Sequence, residues 1–185
     1  RAVDVNAWLL QRGYLQVDET GKPIWSKTRA IALGLAGIHL NLKGRQAQGS
    51  VEPEQADGLK QELRAALLDL TDPLDGTRPL VDVFDSSQCY QGPFQQDAPD
   101  LVLAWEVGYR VAKSAGRGET GGEVFLDNTS AWCGDHCLHP KRVPGILLCN
   151  QPLHPEARLH DIAPTVLDYF GVPRPENWEG RSLCV

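Results

Sequence analysis

Residues 101–105 read Leu-Val-Leu-Ala-Trp, a run with no polar member. A strand with one face in water alternates apolar and polar residues. A strand without that alternation has to be covered on both faces. This run therefore confines the chain to layered architectures, in which helices or a second sheet supply the cover. A suitable helix is readable upstream. Leu59, Leu63, Ala66, Leu67 and Leu70 recur at the spacing of one α-helical face, and Pro53 stands where a helix accepts proline, at its start.

The remaining elements follow from local pattern. Asp4 caps a short helix that carries Val5, Trp8 and Leu9 on one face, and Gly13 ends it. Residues 14–17 alternate as a strand does, and 19–23 form a turn. Residues 29–35 and 38–42 are β-prone runs parted by Gly37, with Ile38, Leu40 and Leu42 on one face. Residues 43–51 and 88–99 are loops, and 114–123 is a glycine-rich loop. Strands are expected over 80–84, 101–105, 108–111 and 144–149. The last helix spans 161–170, with Pro164 in its first turn, Gly171 closing it, and Pro173 and Pro175 beyond. Strands alternating with helices indicate an α/β fold, and 185 residues suffice for a domain with its own core.

Composition excludes two partner classes. The net charge is −6 with no stripe of Lys and Arg, so the basic footprint of a nucleic-acid-binding surface is missing. No apolar run approaches the ~20 residues that cross a bilayer. Five cysteines are an odd set, which points to mostly free thiols in a chain of this size, with a Cys133–Cys137 bridge left open. There is no methionine, and the chain opens Arg1-Ala2-Val3-Asp4 without a signal peptide. It is therefore expected to be processed or cut from a longer one. The compartment is not legible.

Three short motifs look like chemistry. Residues 116–121 spell G-x-G-x-x-G, but no helix-forming segment follows, so a dinucleotide site is not expected and the stretch reads as a loop. Asn128-Thr129-Ser130 spells a glycosylation sequon, which matters only in a eukaryotic secretory setting. Residues 133–139 pack Cys133, His136, Cys137 and His139 together. A structural zinc site usually takes two separated ligand pairs, and His39, His154 and His160 offer no second pair. His136 suits the completion of a site whose other ligands lie elsewhere, and His139 is expected at the surface.

The segment Trp132-Cys133-Gly134-Asp135-His136-Cys137 followed by Val143-Pro144-Gly145-Ile146-Leu147 resembles the type I phosphodiesterase/nucleotide pyrophosphatase family of the alkaline phosphatase superfamily. The resemblance extends to Asn6-Ala7-Trp8-Leu9, Gly13-Tyr14-Leu15, residues 25–30, 37–41, 43–45, 98–101 and 108–110, and Asn128-Thr129. Asp161-Ile162-Ala163-Pro164-Thr165, then Gly171-Val172-Pro173, resembles the closing helix of the superfamily. The match thus runs through nearly the whole chain.

The resemblance implies the C-terminal part, residues 1–185, of an alkaline phosphatase-like three-layer α/β sandwich with a mostly parallel central sheet. Residues 14–100 would be a family-specific insertion or cap. It implies a metal-dependent phosphohydrolase in which two divalent ions, zinc by family habit, activate a Thr or Ser nucleophile and neutralise charge on the transferring oxygens. His136 matches the last metal-ligand histidine. The nucleophile and the Asp-His-Gly ligand block belong to the family's N-terminal half, and neither motif occurs in this sequence. The chain alone is therefore expected to be inactive and to bind no metal tightly, with no catalytic residue of its own. Its expected partners are the N-terminal half of the fold, a phosphate-ester small molecule, and further copies of itself through an unpaired sheet edge. Lys27, Thr28, Arg29 and Arg45 are candidates for the phosphate end of the substrate on chemistry alone; solvated loop charges are an equal reading. The alternative function is a non-catalytic binding or scaffold module. The Gly-Asp-His-Cys and Trp-Ser-Lys-Thr blocks disfavour a sulfatase or a phosphomutase.

Overall fold

A computed structural model describes residues 1–131, 134 and 137–184. The chain begins with a two-residue strand, β1 (Ala2–Val3), and turns at once into helix α1 (Val5–Gln11). Asp4 makes the turn: its side chain accepts the Ala7 N–H at 2.8 Å, the N-cap arrangement that satisfies a helix's first donors. Gly13 closes the helix at a φ of 78°, a conformation that glycine adopts without strain. Residues 14–17 do not form the expected strand. Tyr14 and Leu15 are buried under α1, and only Val17 makes an isolated bridge, to Pro23.

The larger sheet has four strands in the order β2–β3–β5–β4. β2 (Ala30–Leu33) and β3 (Gly37–Leu40) form the expected hairpin, with Ala30 opposite Leu40 and Leu33 opposite Gly37. β4 (Leu80–Asp85) and β5 (Leu101–Trp105) complete the sheet, and every pairing in it is antiparallel. The three-stranded sheet β6–β1–β7 joins Arg110–Val111 and Phe125–Leu126 to either side of β1, the first parallel and the second antiparallel. The protein is mixed α/β as expected, but these sheets are antiparallel and mixed. The mostly parallel central sheet implied by the resemblance is not seen in them. The three-residue turn between β2 and β3 requires antiparallel return, since a parallel step needs a long crossover.

Helix α2 (Ala56–Leu68) lies against β4 and buries Leu59, Leu63 and Leu67, the stripe read from the sequence. A capping box between Glu52 and Gln55 starts the preceding turn, with Pro53 inside it. α2 covers one face of the sheet, while α1 and the short helix α3 (Lys113–Gly116) pack on β2. β5 is buried as its apolar run requires: Trp105 and Leu101 are almost fully covered.

The sequence leads one to expect an open edge at β5. Instead β5 is interior, flanked by β3 and β4 of the same chain. The two real edges are closed by side chains. On β2 the Asn6 amide donates to the Ala32 carbonyl (3.0 Å) and accepts its N–H (2.7 Å). On β4 Arg64 Nε donates to the Val83 carbonyl (2.8 Å), and Asp82 accepts the Val83 N–H (2.7 Å). Side chains placed this way blunt an edge against further strands.

Residues 143–185 form a second compact unit. Its helix, α4 (Ile162–Tyr169), follows a turn at Leu159–Asp161. The buried Asp161 carboxylate accepts the N–H of Arg181 and of Arg158, each at 2.9 Å, and these bonds hold it below the usual carboxylate range. Thr165 links the helix to the C-terminal segment by accepting the Leu183 N–H. Residues 144–149, expected as a strand, make no ladder. Ile146 and Leu148 are almost fully exposed, and Tyr169 and Phe170 are largely so. No described helix is long and apolar enough to cross a membrane.

Asn6 is the most consequential single contact. Replacing it with Ala leaves the buried N–H and carbonyl of Ala32 without partners. Asn6→Ala is expected to cost about 3 kcal/mol, read by urea unfolding, and to promote association through the β2 edge, read by sedimentation.

Candidate functional site

His136, the metal-ligand candidate, lies outside the described residues, as do Trp132, Cys133 and Asp135. The question of a Cys133–Cys137 bridge falls there too. The described residues on either side of His136 are held in place. The Arg110 guanidinium, at the end of β6, reaches the Gly134 carbonyl at 3.4 Å. On the other side Trp105 donates its N–H to the Cys137 carbonyl (3.2 Å), and His139 donates its own to the Trp105 carbonyl (3.0 Å). Gly134 thus lies by the end of β6, and Cys137 and His139 lie by the end of β5.

His139 is buried, not at the surface as expected. Its ring lies beside Phe84, with centroids 5.7 Å apart, and its Nδ1 accepts the Lys141 N–H at 3.1 Å. The sequence could not show that residues 137–139 would dock against β5 and carry the imidazole inward. With Nδ1 engaged, His139 can offer a metal only Nε2. Among the described residues no three His, Cys, Asp or Glu side chains converge on a metal position. Cys89, Cys149 and Cys184 carry free thiols, all exposed.

A cleft of about 580 Å³ opens beside Gly134, lined by Arg1, Val107, Gly108, Tyr109, Arg110, Asp127, Asn128, Gly134 and Leu138. Its polar wall is built on the small sheet. Ala2 of β1 pairs with Arg110 of β6 and Leu126 of β7, and the Arg110 N–H bonds to the Arg1 carbonyl. Arg1 is aimed by a buried carboxylate. Asp72, 1% exposed, accepts from Arg1 Nη1 at 3.1 Å and from the Tyr109 hydroxyl at 3.0 Å. Arg1 Nε lies 3.4 Å from Asp127, and its guanidinium sits over the Phe125 ring.

None of the four sequence candidates for phosphate binding lines this cleft. Thr28 is fully buried and exchanges hydrogen bonds with the backbone of Gln16. Arg45 grips Asp100 with both terminal nitrogens, at 2.9 and 2.6 Å, and also donates to the Leu40 carbonyl. Such a bidentate pair is among the stronger polar contacts, and it fastens the loop after β3 to the start of β5. Arg29 lies over the Tyr14 ring and 3.8 Å from Glu62. Lys27 is exposed on the turn Trp25–Lys27. The structure brings Arg1 and Arg110 to the cleft instead. The sequence signal for Arg110 was its place in the Gly108-Tyr109-Arg110 block, but its pairing with β1 spans the whole intervening chain and leaves no local pattern.

The G-x-G-x-x-G stretch is a loop from Arg117 on, while residues 114–116, expected as part of that loop, belong to helix α3. It closes over the buried Asp4 carboxylate, to which Gly121 donates its N–H at 2.6 Å and Ser114 its hydroxyl at 2.7 Å. The anion it serves is built into the protein.

Tyr14 donates to Glu62 at 2.6 Å, and burial together with Glu62 pushes its pKa up to about 12. The folded state therefore favours the neutral phenol over the unfolded one, whose pKa is about 10. That stabilisation is complete below pH ~10 and is lost as pH rises toward ~12. Tyr14→Phe is expected to flatten this alkaline loss in pH-dependent unfolding, and to remove one late-titrating tyrosine from the tyrosinate absorbance curve.

Compared with known proteins, the chain matches no family model, no curated protein and no solved structure.

Proposed function

We propose that this chain is the C-terminal part of a metal-dependent phosphohydrolase of the phosphodiesterase/nucleotide pyrophosphatase type, and that it contributes one metal-ligand histidine, His136. The observation that carries the reading is the cleft beside Gly134. Gly134, which belongs to the Gly-Asp-His motif, lines a cavity together with the cations Arg1 and Arg110, and a positive wall beside a ligand motif suits a phosphate-ester substrate.

The fold reading gains support from the same place. On either side of segment 14–100, β1 and β6 pair in parallel, whereas β5, the first strand after it, joins the antiparallel sheet. The antiparallel β2, β3 and β4 all come from within that segment. One parallel pair is compatible with a cap inserted into a parallel-stranded core, which is the reading proposed for this segment. The exposed Ile146, Leu148, Tyr169 and Phe170 of the second unit then form the surface that calls for the rest of the fold or for another copy.

One imidazole does not hold a divalent ion tightly, and a catalytic zinc takes several protein ligands. The described residues do not assemble such a set, so metal chemistry needs ligands beyond them. The role proposed for this chain is to supply His136 and to shape the cleft beside Gly134.

A specific observation favours the alternative of a non-catalytic module: both edges of the four-stranded sheet are closed by the chain's own side chains. Zinc titration with a diester assay separates the two. The first reading predicts weak zinc binding that His136→Ala abolishes, and no turnover of bis-p-nitrophenyl phosphate by the chain alone. Tight binding of one zinc, lost on replacing Cys133, Cys137 or His139, would make the segment a local zinc module. Zinc-dependent turnover that His136→Ala abolishes would place the catalytic residues within this chain.

A further inference from the structure

Helix α2 carries a second stripe besides the apolar one. Asp57, Lys60, Gln61 and Arg64 recur at the spacing of one helical face. Together they line a cleft of about 570 Å³, completed by Asp85 at the end of β4, by Ser87 and Gln88 in the turn that follows, and by Leu101. The charges of this cleft are matched within the protein. Lys60 Nζ reaches Asp57 at 2.8 Å and Asp85 at 2.6 Å. Arg64 donates to Asp82 at 2.9 Å and to the Val83 carbonyl at 2.8 Å. Two cations and two carboxylates line the cleft, so they sum to zero and offer neither an anion nor a cation an unmatched partner. What remains open is hydrogen-bonding capacity of both kinds. An ammonium has three donors, and Lys60 engages two acceptors. The side-chain amides of Gln61 and Gln88 have no hydrogen-bond partner among the described residues, and each offers donors and an acceptor. The Ser87 hydroxyl donates to Asp85 at 2.8 Å and can still accept.

We propose that this cleft binds a neutral polyhydroxylated ligand, a mono- or disaccharide, through Gln61, Ser87, Gln88 and the free donor of Lys60. A hydroxyl both donates and accepts, so a ring of hydroxyls matches a wall on which donors and acceptors alternate. The volume is that of a small-molecule pocket. The wall is also set in advance. Lys60 is fixed between two carboxylates, and Asp85 holds the turn after β4 by accepting the Ser87 N–H at 3.0 Å. Groups already ordered lose less freedom when a ligand arrives. This cleft shares no lining residue with the one beside Gly134, and the assignment is independent of the phosphohydrolase reading.

The test is an amide chemical-shift titration of the full chain with glucose, maltose, cellobiose and sucrose, and separately with inorganic phosphate and ethylammonium. At least one sugar is expected to shift the amides of Lys60, Gln61, Ser87 and Gln88 together and saturably, while the two ions leave them in place. Gln61→Ala and Gln88→Ala should each weaken that sugar's binding about fivefold, the loss of one net hydrogen bond, whereas Gln11→Ala at the end of α1 leaves it unchanged. Both glutamines are exposed, so the variants are expected to keep the rest of the amide spectrum. Should Gln61→Ala disturb it, Gln61→Glu keeps the side chain's length and loses its donors, and weakened binding is expected there too. No saturable response to any of the four sugars up to about 100 mM, roughly a hundredfold beyond the affinity that a few net hydrogen bonds give, overturns the proposal. So does equal affinity in the wild type and both glutamine variants. A stronger response of these amides to phosphate or to ethylammonium than to any sugar overturns it as well, and makes the cleft an ion site.

Discussion

The carboxylate of Asp4 is sealed from water, so its oxygens have to be matched by protein donors, and the chain is arranged around that demand. One oxygen caps helix α1 through the Ala7 N–H. The other collects the Ser114 hydroxyl and the Gly121 N–H, from more than a hundred residues away. The Asp4 N–H in turn bonds to the Val124 carbonyl, at the head of β7. Two residues on, the Asn6 amide closes the edge of β2 and holds the Glu119 carbonyl at 3.1 Å. A single tight turn between β1 and α1 therefore fixes the hairpin, the glycine-rich loop and the small sheet relative to one another. The small sheet in turn carries Arg1 and Arg110 to the cleft.

Local pattern reached as far as local physics does. The stripe of α2, the hairpin of β2 and β3, the fully covered β5, and the helix ending at Gly171, where φ is 65°, were all legible, because periodicity, propensity and capping act over a few residues. Two apolar runs misled. Residues 14–17 alternate like a strand, yet Leu15 and Tyr14 are buried by packing under α1 without a partner strand beside them. Residues 144–149 carry the composition of a buried strand and lie exposed. Composition alone does not supply the neighbour a strand requires.

The site was legible in outline and illegible in detail for the same reason. Gly-Asp-His draws attention as a short motif, whereas the residues that shape the cleft come from the start of the chain and from residues 107–138. Arg45 is a phosphate-binding candidate by its charge alone, and that charge is engaged with Asp100. His139 reads as a surface residue, but its N–H bond to the Trp105 carbonyl draws it inward. Which cation faces a cleft and which closes an ion pair depends on sheet order, and sheet order is set by contacts that no local window contains.

The central claim is that the Gly-Asp-His motif at residues 134–136, together with the cleft lined by Arg1 and Arg110, is the functional end proposed for this chain. Paramagnetic broadening of amide signals by dilute manganese reports weak metal approach residue by residue. The account predicts that the amides of Gly108, Asn128, Gly134 and Cys137 broaden first, and that His136→Ala abolishes the effect there. Broadening that begins instead at the acidic groups Asp57 and Asp85 beside α2, and that persists unchanged in His136→Ala, would contradict it.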